Sequence, residues 1–456
     1  MNPASSRQRL LELVRRHGWN ATAFQTVGAG YTYFFHGDAC VAYVDTGYAW
    51  VAAGAPIAAT EALGDVAESF AHAARAAGKR CCFFATEERF QKAVSGEFES
   101  FAVGEQPVWD PHEWLTTLAA RPSLREQLRR ARAKGVTVRE TRDDDLAQGP
   151  TRNALNRVAA RWMATHHMAP MGFLVSVGPF GTLADRTCFV AEIDDEICGF
   201  ASVISVPARA GWFIEHLIRD PSAPNGTSEL LVDAVMRWAN DAGYRWLTLG
   251  LAPLAGNVSG ILRLLRRVAS PLYDFDGLRA YKAKLNPKEW LVIYLTYPVS
   301  QSPAISLIDA LSAFTRGGFL RFGIRSLLRG PTFALRALAT LLVPWTIVLA
   351  AAPTYPWFFG THIKWAWVIF NVLLSFGLFR VVRRPRTPLI TALAIAVTFD
   401  AALTLLEAML WNVRHTRGVL DTLIVAVACA APALAAVILW GARYRIVGAS
   451  ESAVAK

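Results

Sequence analysis

Four long apolar segments close this sequence, over roughly 335–352, 364–381, 387–411 and 419–441. Each approaches the ~20 residues a helix needs to span a bilayer. Upstream, apolar and charged stretches alternate as in a water-facing globular part. The pattern predicts a folded N-terminal part followed by a four-helix transmembrane region over 332–456. Arg325, Arg329 and Arg336 precede the first segment, Arg380, Arg383, Arg384 and Arg386 separate the second from the third, and Arg443 and Arg445 follow the fourth. If all four segments cross, these arginines share one side, which the positive-inside bias makes the cytoplasm. Trp357, Trp365 and Trp411 fall near the expected interfaces. The N-terminus, MNPASSRQRLLELVRRHGW, reads as a basic amphipathic helix rather than a secretion signal. The expected location is the inner membrane, multi-pass, with the N-terminal part cytoplasmic.

The chain has 456 residues, a formal net charge of +11 and a pI near 9.6. That balance fits anionic partners, either nucleic acid or lipid headgroups, and equally fits a positive bias of membrane loops. The six cysteines form no CxxC pair and read as buried free thiols.

The part before 299 divides in two. Residues 38–90 give strand (ACVAYVD), strand (AWVAAGAPI), helix (ALGDVAESFAHAARAAG) and strand (KRCCFFAT). Residues 187–252 give strands TCFVAEID, ICGFASVIS and WFIEHLIRD, helix SELLVDAVMRWANDAG and strand YRWLTLGL. A tandem α/β unit is the simplest account. The boundaries are 1–120 and 121–298 for the two lobes and 299–331 for a basic amphipathic linker, either lying on a membrane surface or serving as an ordinary loop-helix connection.

The candidate chemistry begins in GWFIEHLIRD. Strand alternation puts Glu215 and Arg219 on one face and His216 on the other, where it reads as a packed histidine unless a bulge rotates it. Glu215 beside Arg219 fits a functional pair or a structural ion pair. PSAPNGTS then opens a helix, where Asn225 and Gly226 allow a tight turn and amides near Thr227 face an anion or serve ordinary capping. Gly250 and Pro253 break the next strand and open a cleft. Arg279, Lys282, Lys284 and Lys288 lie among Tyr273, Phe275, Tyr281 and Trp290, a mix for phosphate contact and base stacking or a solvated basic face. The helix with Arg125, Arg129, Arg130, Arg132 and Lys134 is a second basic candidate. In the third apolar segment, Asp400 and Glu407 share a face, as a polar groove or an interhelical hydrogen bond. No metal or nucleophile motif is present, since His166-His167 lacks HExxH spacing, and no cofactor is expected.

The segments IEHLIRDPSAPNGTSELL, TLGLAPL and GLRAYKAKLNPKEW resemble the synthase domain of the phosphatidylglycerol lysyltransferase family, the multiple peptide resistance factors. The resemblance covers roughly residues 20–298. Two departures stand out: the family's membrane helices precede this domain, and His216 stands where an Asp is common. The resemblance implies an α/β fold of tandem acetyltransferase-like (GNAT) lobes. It implies transfer of an aminoacyl group from aminoacyl-tRNA to an anionic phospholipid such as phosphatidylglycerol. Glu215 would be general base or bind the substrate ammonium, with His216 the other base. Amides near Gly226 would meet the oxyanion or a donor phosphate, and Arg219, Arg279, Lys282 and Lys284 would hold the tRNA end. A thioester-dependent acyltransferase and a non-enzymatic membrane-anchored binding module are the alternatives.

Overall fold

The computed structural model describes residues 3–141, 145–146, 149–165, 172–174, 186–269, 273–315, 318, 331–355, 357–383, 387–415 and 418–454. His166-His167 and residues 316–317 and 319–330 of the linker, with Arg325 and Arg329, lie outside them. The chain divides after residue 322 into two compact units.

The first unit is built on one mixed sheet. Its opening strands are β1 (Thr32–His36), β2 (Ala39–Asp45), β3 (Ala49–Ala53), β4 (Arg80–Thr86) and β5 (Phe98–Trp109). Then come β6 (Thr137–Glu140), β7 (Arg186–Ile193), β8 (Glu196–Val206), β9 (Gly211–Arg219), β10 (Trp246–Thr248), the two-residue β11 (Ala252–Pro253) and β12 (Glu289–Pro298). The spatial order is β1-β2-β3-β4-β12-β5-β10-β9-β8-β7-β6, with β11 also on β5. Among the described strands, only β3–β4 and β9–β10 pair in parallel.

Local chemistry sets several of these elements. Asp194 and Asp195 both adopt positive φ, which gives the two-residue turn joining β7 to β8 the twist of a tight hairpin. The helix α1 (Leu63–Ala76) buries Leu63, Val66, Ala67, Phe70 and Ala74 at helical spacing against β2 and β4. The helices α2 (Pro122–Ala133) and α3 (Thr227–Asp241) cover the other half, where Leu124, Leu128, Leu231, Val235 and Met236 pack on Ala201, Ile214 and Leu247.

The expectation of two tandem GNAT lobes is overturned by this pairing. β12, which follows the second half in sequence, lies between β4 and β5 and pairs with β5 from Glu289 to Pro298. β5 in turn pairs with β10. Backbone hydrogen bonds therefore run unbroken through the middle of the sheet, and the fold is α/β with a mixed open sheet.

The second unit contains α7 (Pro331–Ala351), α8 (Thr361–Arg383), α9 (Thr387–Glu407) and α10 (Val419–Val454). Leu335, Ala339, Leu374, Leu378, Ile390, Ala394 and Leu439 form its shared core. Among the described residues, three helical stretches are long and apolar enough to cross a bilayer: Thr361–Val382, Thr387–Asn412 and Asp421–Tyr444. This corrects the expected four. The described apolar part of α7, Leu338–Ala351, is shorter, about 21 Å at 1.5 Å per residue against a ~30 Å hydrocarbon core. The predicted cytoplasmic placement of the N-terminal part rests on four crossings, and three such stretches among the described residues do not supply that count. Asp400 accepts a hydrogen bond from Thr404 at 3.3 Å and Glu407 accepts one from Trp367 Nε1 at 2.9 Å. The chain is a multi-pass membrane protein with a large N-terminal domain.

Candidate functional site

β9 and β10 run parallel only from Gly211–Phe213 against Trp246–Thr248. Beyond that point β9 continues and β10 stops. Thr248 Oγ1 donates to Pro107 O at 2.7 Å and accepts from the Gly250 amide at 3.0 Å, which turns the chain away. Gly250 has φ +70°, and a Cβ there would lie 2.6 Å from the Phe213 ring. Only glycine fits this conformation and this approach. The two strands thus part immediately before Glu215.

Glu215 sits in a β-bulge. Val203 pairs with Ile214 and Ser202 with His216, so Glu215 is the extra residue. The bulge brings both polar side chains together: His216 Nδ1 lies 3.2 Å from Glu215 Oε2. Arg186 Nη1 lies 2.6 Å from the same oxygen, and Gln25 Nε2 donates to Oε1 at 3.2 Å. Arg186 Nη1 also donates to Ser202 Oγ at 2.6 Å. Arg186 and His216 therefore converge on the same carboxylate oxygen. All three side chains, Arg186, Glu215 and His216, are nearly buried. Burial by itself raises the Glu215 pKa, but His216, the Arg186 charge and Gln25 outweigh it and hold the group at about 2.

The expected Glu215–Arg219 pair is not formed. Arg219 Nη1 instead donates to Ala223 O at 2.7 Å and Pro224 O at 3.4 Å, clipping the loop that follows β9. That loop is satisfied from within. Ser222 donates to Asp220 from its amide and hydroxyl, Arg161 reaches Asp220 at 3.0 Å, and Thr227 Oγ1 donates to Pro224 O at 2.8 Å. Asn225 is exposed. Gly226, at φ +98°, is buried against α2, where a Cβ would lie 2.4 Å from Gln127 O. This glycine permits close packing of two helices and is not part of an open phosphate cradle.

The basic cluster serves internal partners. Lys282, on the helix α5 (Phe275–Lys284), is buried and donates to the carbonyls of Leu249, Gly250 and Leu251 at 2.8–2.9 Å. Burial pushes its amine down to about 7. Three carbonyl acceptors call for the three hydrogens of the ammonium, and that geometry favours the charged form. Lys284 pairs with buried Glu229 in the first turn of α3 at 2.7 Å. Arg279 reaches Glu105 at 3.2 Å and stacks over Trp290 at 4.9 Å. Lys288 meets Asp110 at 3.4 Å and Glu113 at 2.5 Å.

The structure therefore joins Glu215 to His216 and Lys282 to Gly250, and it separates Arg219 from Glu215. It adds Arg186, Gln25 and Ser202, which sequence reasoning missed. Gln25 is 190 residues from Glu215 in the chain, and no local pattern marks either it or Arg186. Among the described residues no group of three His, Cys, Asp or Glu side chains is arranged to hold a metal.

A family profile described as phosphatidylglycerol lysyltransferase, C-terminal, matches residues 11–297. The chain belongs to this family. Over 208 residues it is 27% identical to the lysylphosphatidylglycerol biosynthesis bifunctional protein LysX of Mycobacterium tuberculosis (strain ATCC 25618 / H37Rv), a match covering 43% of this chain and 17% of that protein. The LysX of Mycobacterium marinum is 26% identical over 208 residues, covering 43% of this chain and 18% of that one. The chain thus spans less than a fifth of the length of these relatives. Among solved structures, the C-terminal domain of an Agrobacterium fabrum protein assigned as a lysylphosphatidylglycerol synthetase is 26% identical, with TM-score 0.59, covering 68% of this chain and 96% of that one. L-PGS from Bacillus licheniformis shares the fold at 22% identity and TM-score 0.58, covering 67% of this chain and 95% of that one. In this family member the matched span holds every residue of the Glu215 cluster, and the membrane helices lie beyond it.

Proposed function

We propose that the chain transfers an aminoacyl group from aminoacyl-tRNA to a phospholipid headgroup hydroxyl, such as that of phosphatidylglycerol, at the cytoplasmic face of the membrane. The reading is carried by the Glu215–His216 pair standing where β9 and β10 part, within the span that matches the lysyltransferase family. The cytoplasmic side follows from the donor, because charged tRNA is a cytoplasmic species. Labelling of a cysteine placed at exposed Tyr48 by a membrane-impermeant reagent in intact cells would overturn that side.

An aminoacyl ester is already activated, so the protein need only align the hydroxyl and manage one proton. The lipid oxygen attacks the ester carbonyl while His216 takes the hydroxyl proton. The bond to the tRNA ribose oxygen then breaks, and His216 returns the proton to that leaving oxygen. Glu215 is the weaker base, because it stays a carboxylate at neutral pH and its oxygens already meet Arg186 and Gln25. It orients the imidazole and stabilises its protonated form. A substrate ammonium would compete with Arg186 for the same oxygens. Exposed Arg129 and Arg130 on α2 offer the donor's phosphates a contact.

Membranes containing the full chain, given phosphatidylglycerol and charged tRNAs, should form a new ninhydrin-positive lipid. His216→Ala should abolish it and RNase should prevent it. Product that persists after RNase would move the donor to a thioester, and product that persists in His216→Ala would remove that residue from the proton transfer.

A further inference from the structure

The helix α6 (Pro303–Phe314) buries polar residues and exposes two large aliphatic ones. Its polar residues face the protein. Asp309 is buried and takes a bidentate contact from Arg80, both bonds at 2.7 Å, and Ser306 is fully buried. Two of its large apolar residues face outward, Ile305 43% and Ile308 54% exposed, while Ala310 and Ala313 face the core. A helix on water would place Asp309 out and the isoleucines in.

The helix α4 (Gly260–Ala269) covers the same core. Its Leu262 and Leu265 join Leu307, Ala310, Ala313 and Phe314 of α6 in one cluster over β3, β4 and β12. The outer side of α4 carries exposed Arg263, Arg267 and Leu264, the last 59% exposed. The outer sides of these two helices, which cover one core, therefore present three large aliphatic side chains, with Arg263 and Arg267 on α4, the pattern of a surface that sits among lipid headgroups.

The sequence beyond α6 favours that occupant. Segment 315–330 carries Arg316, Arg321, Arg325 and Arg329 and no acidic residue, and the chain then enters the first helix of the membrane unit. We propose that the α4–α6 face docks on an anionic lipid bilayer surface, seating Ile305, Ile308 and Leu264 at the level of the headgroups. The inference stands on this face alone and does not depend on the transfer reaction.

The test uses the full chain reconstituted in phosphatidylglycerol–phosphatidylcholine vesicles. An environment-sensitive fluorophore is placed at Ile308→Cys, Leu264→Cys or, as control, Tyr48→Cys, which is 76% exposed on the β2–β3 turn. The unsubstituted chain sets the labelling background. Brominated lipid should quench positions 308 and 264 at least about two-fold more than position 48, and Ile305→Glu with Ile308→Glu should reduce quenching at 264. Equal quenching at all three positions would overturn the proposal. A blue shift without lipid quenching would also overturn it, because protein would then cover the face. Quenching unchanged in pure phosphatidylcholine would overturn the choice of an anionic surface.

Discussion

His216 Nδ1 lies 3.2 Å from Glu215 Oε2 because a one-residue bulge in β9 turns neighbouring side chains, which a regular strand would send to opposite faces, toward each other. The pair makes a division of labour testable. His216→Asn removes the proton acceptor and should lower kcat by roughly 10²–10⁴-fold, the usual range for a positioned acid–base group. Glu215→Gln keeps the shape but loses the charge, and should lower kcat less than His216→Asn does. Single-turnover rates with charged tRNA would decide. A larger loss for Glu215→Gln would return the role of base to Glu215.

The same carboxylate makes stability depend on acid. Its folded pKa, about 2, lies below its ordinary value of 4.5. Such a group stabilises the fold fully above its unfolded pKa, and the contribution fades as pH falls through the folded one. The wild-type chain should therefore lose stability relative to Glu215→Gln between pH ~4.5 and ~2. Thermal unfolding in detergent across that window measures the difference, and a constant gap in Tm would contradict the assignment.

Arg186 is expected to be structural as well as positioning. Arg186→Met leaves Glu215 buried without its closest cation, a change that costs about 3–5 kcal/mol when a buried pair is broken on one side. A combined Arg186→Met and Glu215→Gln variant should recover part of that loss. Chemical denaturation of the three variants in one detergent reads the coupling.

What the sequence announces here is local. The Asp194–Asp195 turn, the period of α1 and the strands β2–β4 and β7–β10 follow from neighbours in the chain. What it conceals is partnership across distance. β5, with Gly104 and Pro107 inside it, carries little strand signal, yet it holds β12 on one edge and β10 on the other. Alternation places Glu215 with Arg219, because a bulge is a property of two strands and only one was in view. The lysines of GLRAYKAK look like phosphate ligands until the carbonyls of Leu249–Leu251 and the carboxylate of Glu229 appear beside them.

Lys282 gives a further measurable case. Lys282→Met removes one ammonium from three carbonyls, that of Gly250 buried and those of Leu249 and Leu251 part-buried, and takes this donor from each. Unsatisfied buried acceptors cost about 1–3 kcal/mol apiece, with relaxation and water reducing the sum. The variant should show a lowered Tm and faster hydrogen exchange around 249–254. A variant as stable as wild type would mean that the carbonyls reach other donors and that Lys282 is available to substrate after all.

Gly250 and Phe213 should be coupled by contact. A methyl group at Gly250 would meet Phe213 Cε2 at 2.6 Å, and the residue's φ of +70° strains any side chain. Gly250→Ala should therefore destabilise by about 1–3 kcal/mol, partly from backbone strain and partly from overpacking. Phe213→Leu relieves only the second part. The double variant should thus be more stable than the sum of the single losses predicts, by roughly 0.5 kcal/mol or more. Because the same clash would push β10 away from β9 just before Glu215, Gly250→Ala should also lower kcat, and Phe213→Leu should restore some of it. Strict additivity in both stability and rate would mean that the ring moves aside freely and that this contact does not set where the two strands part.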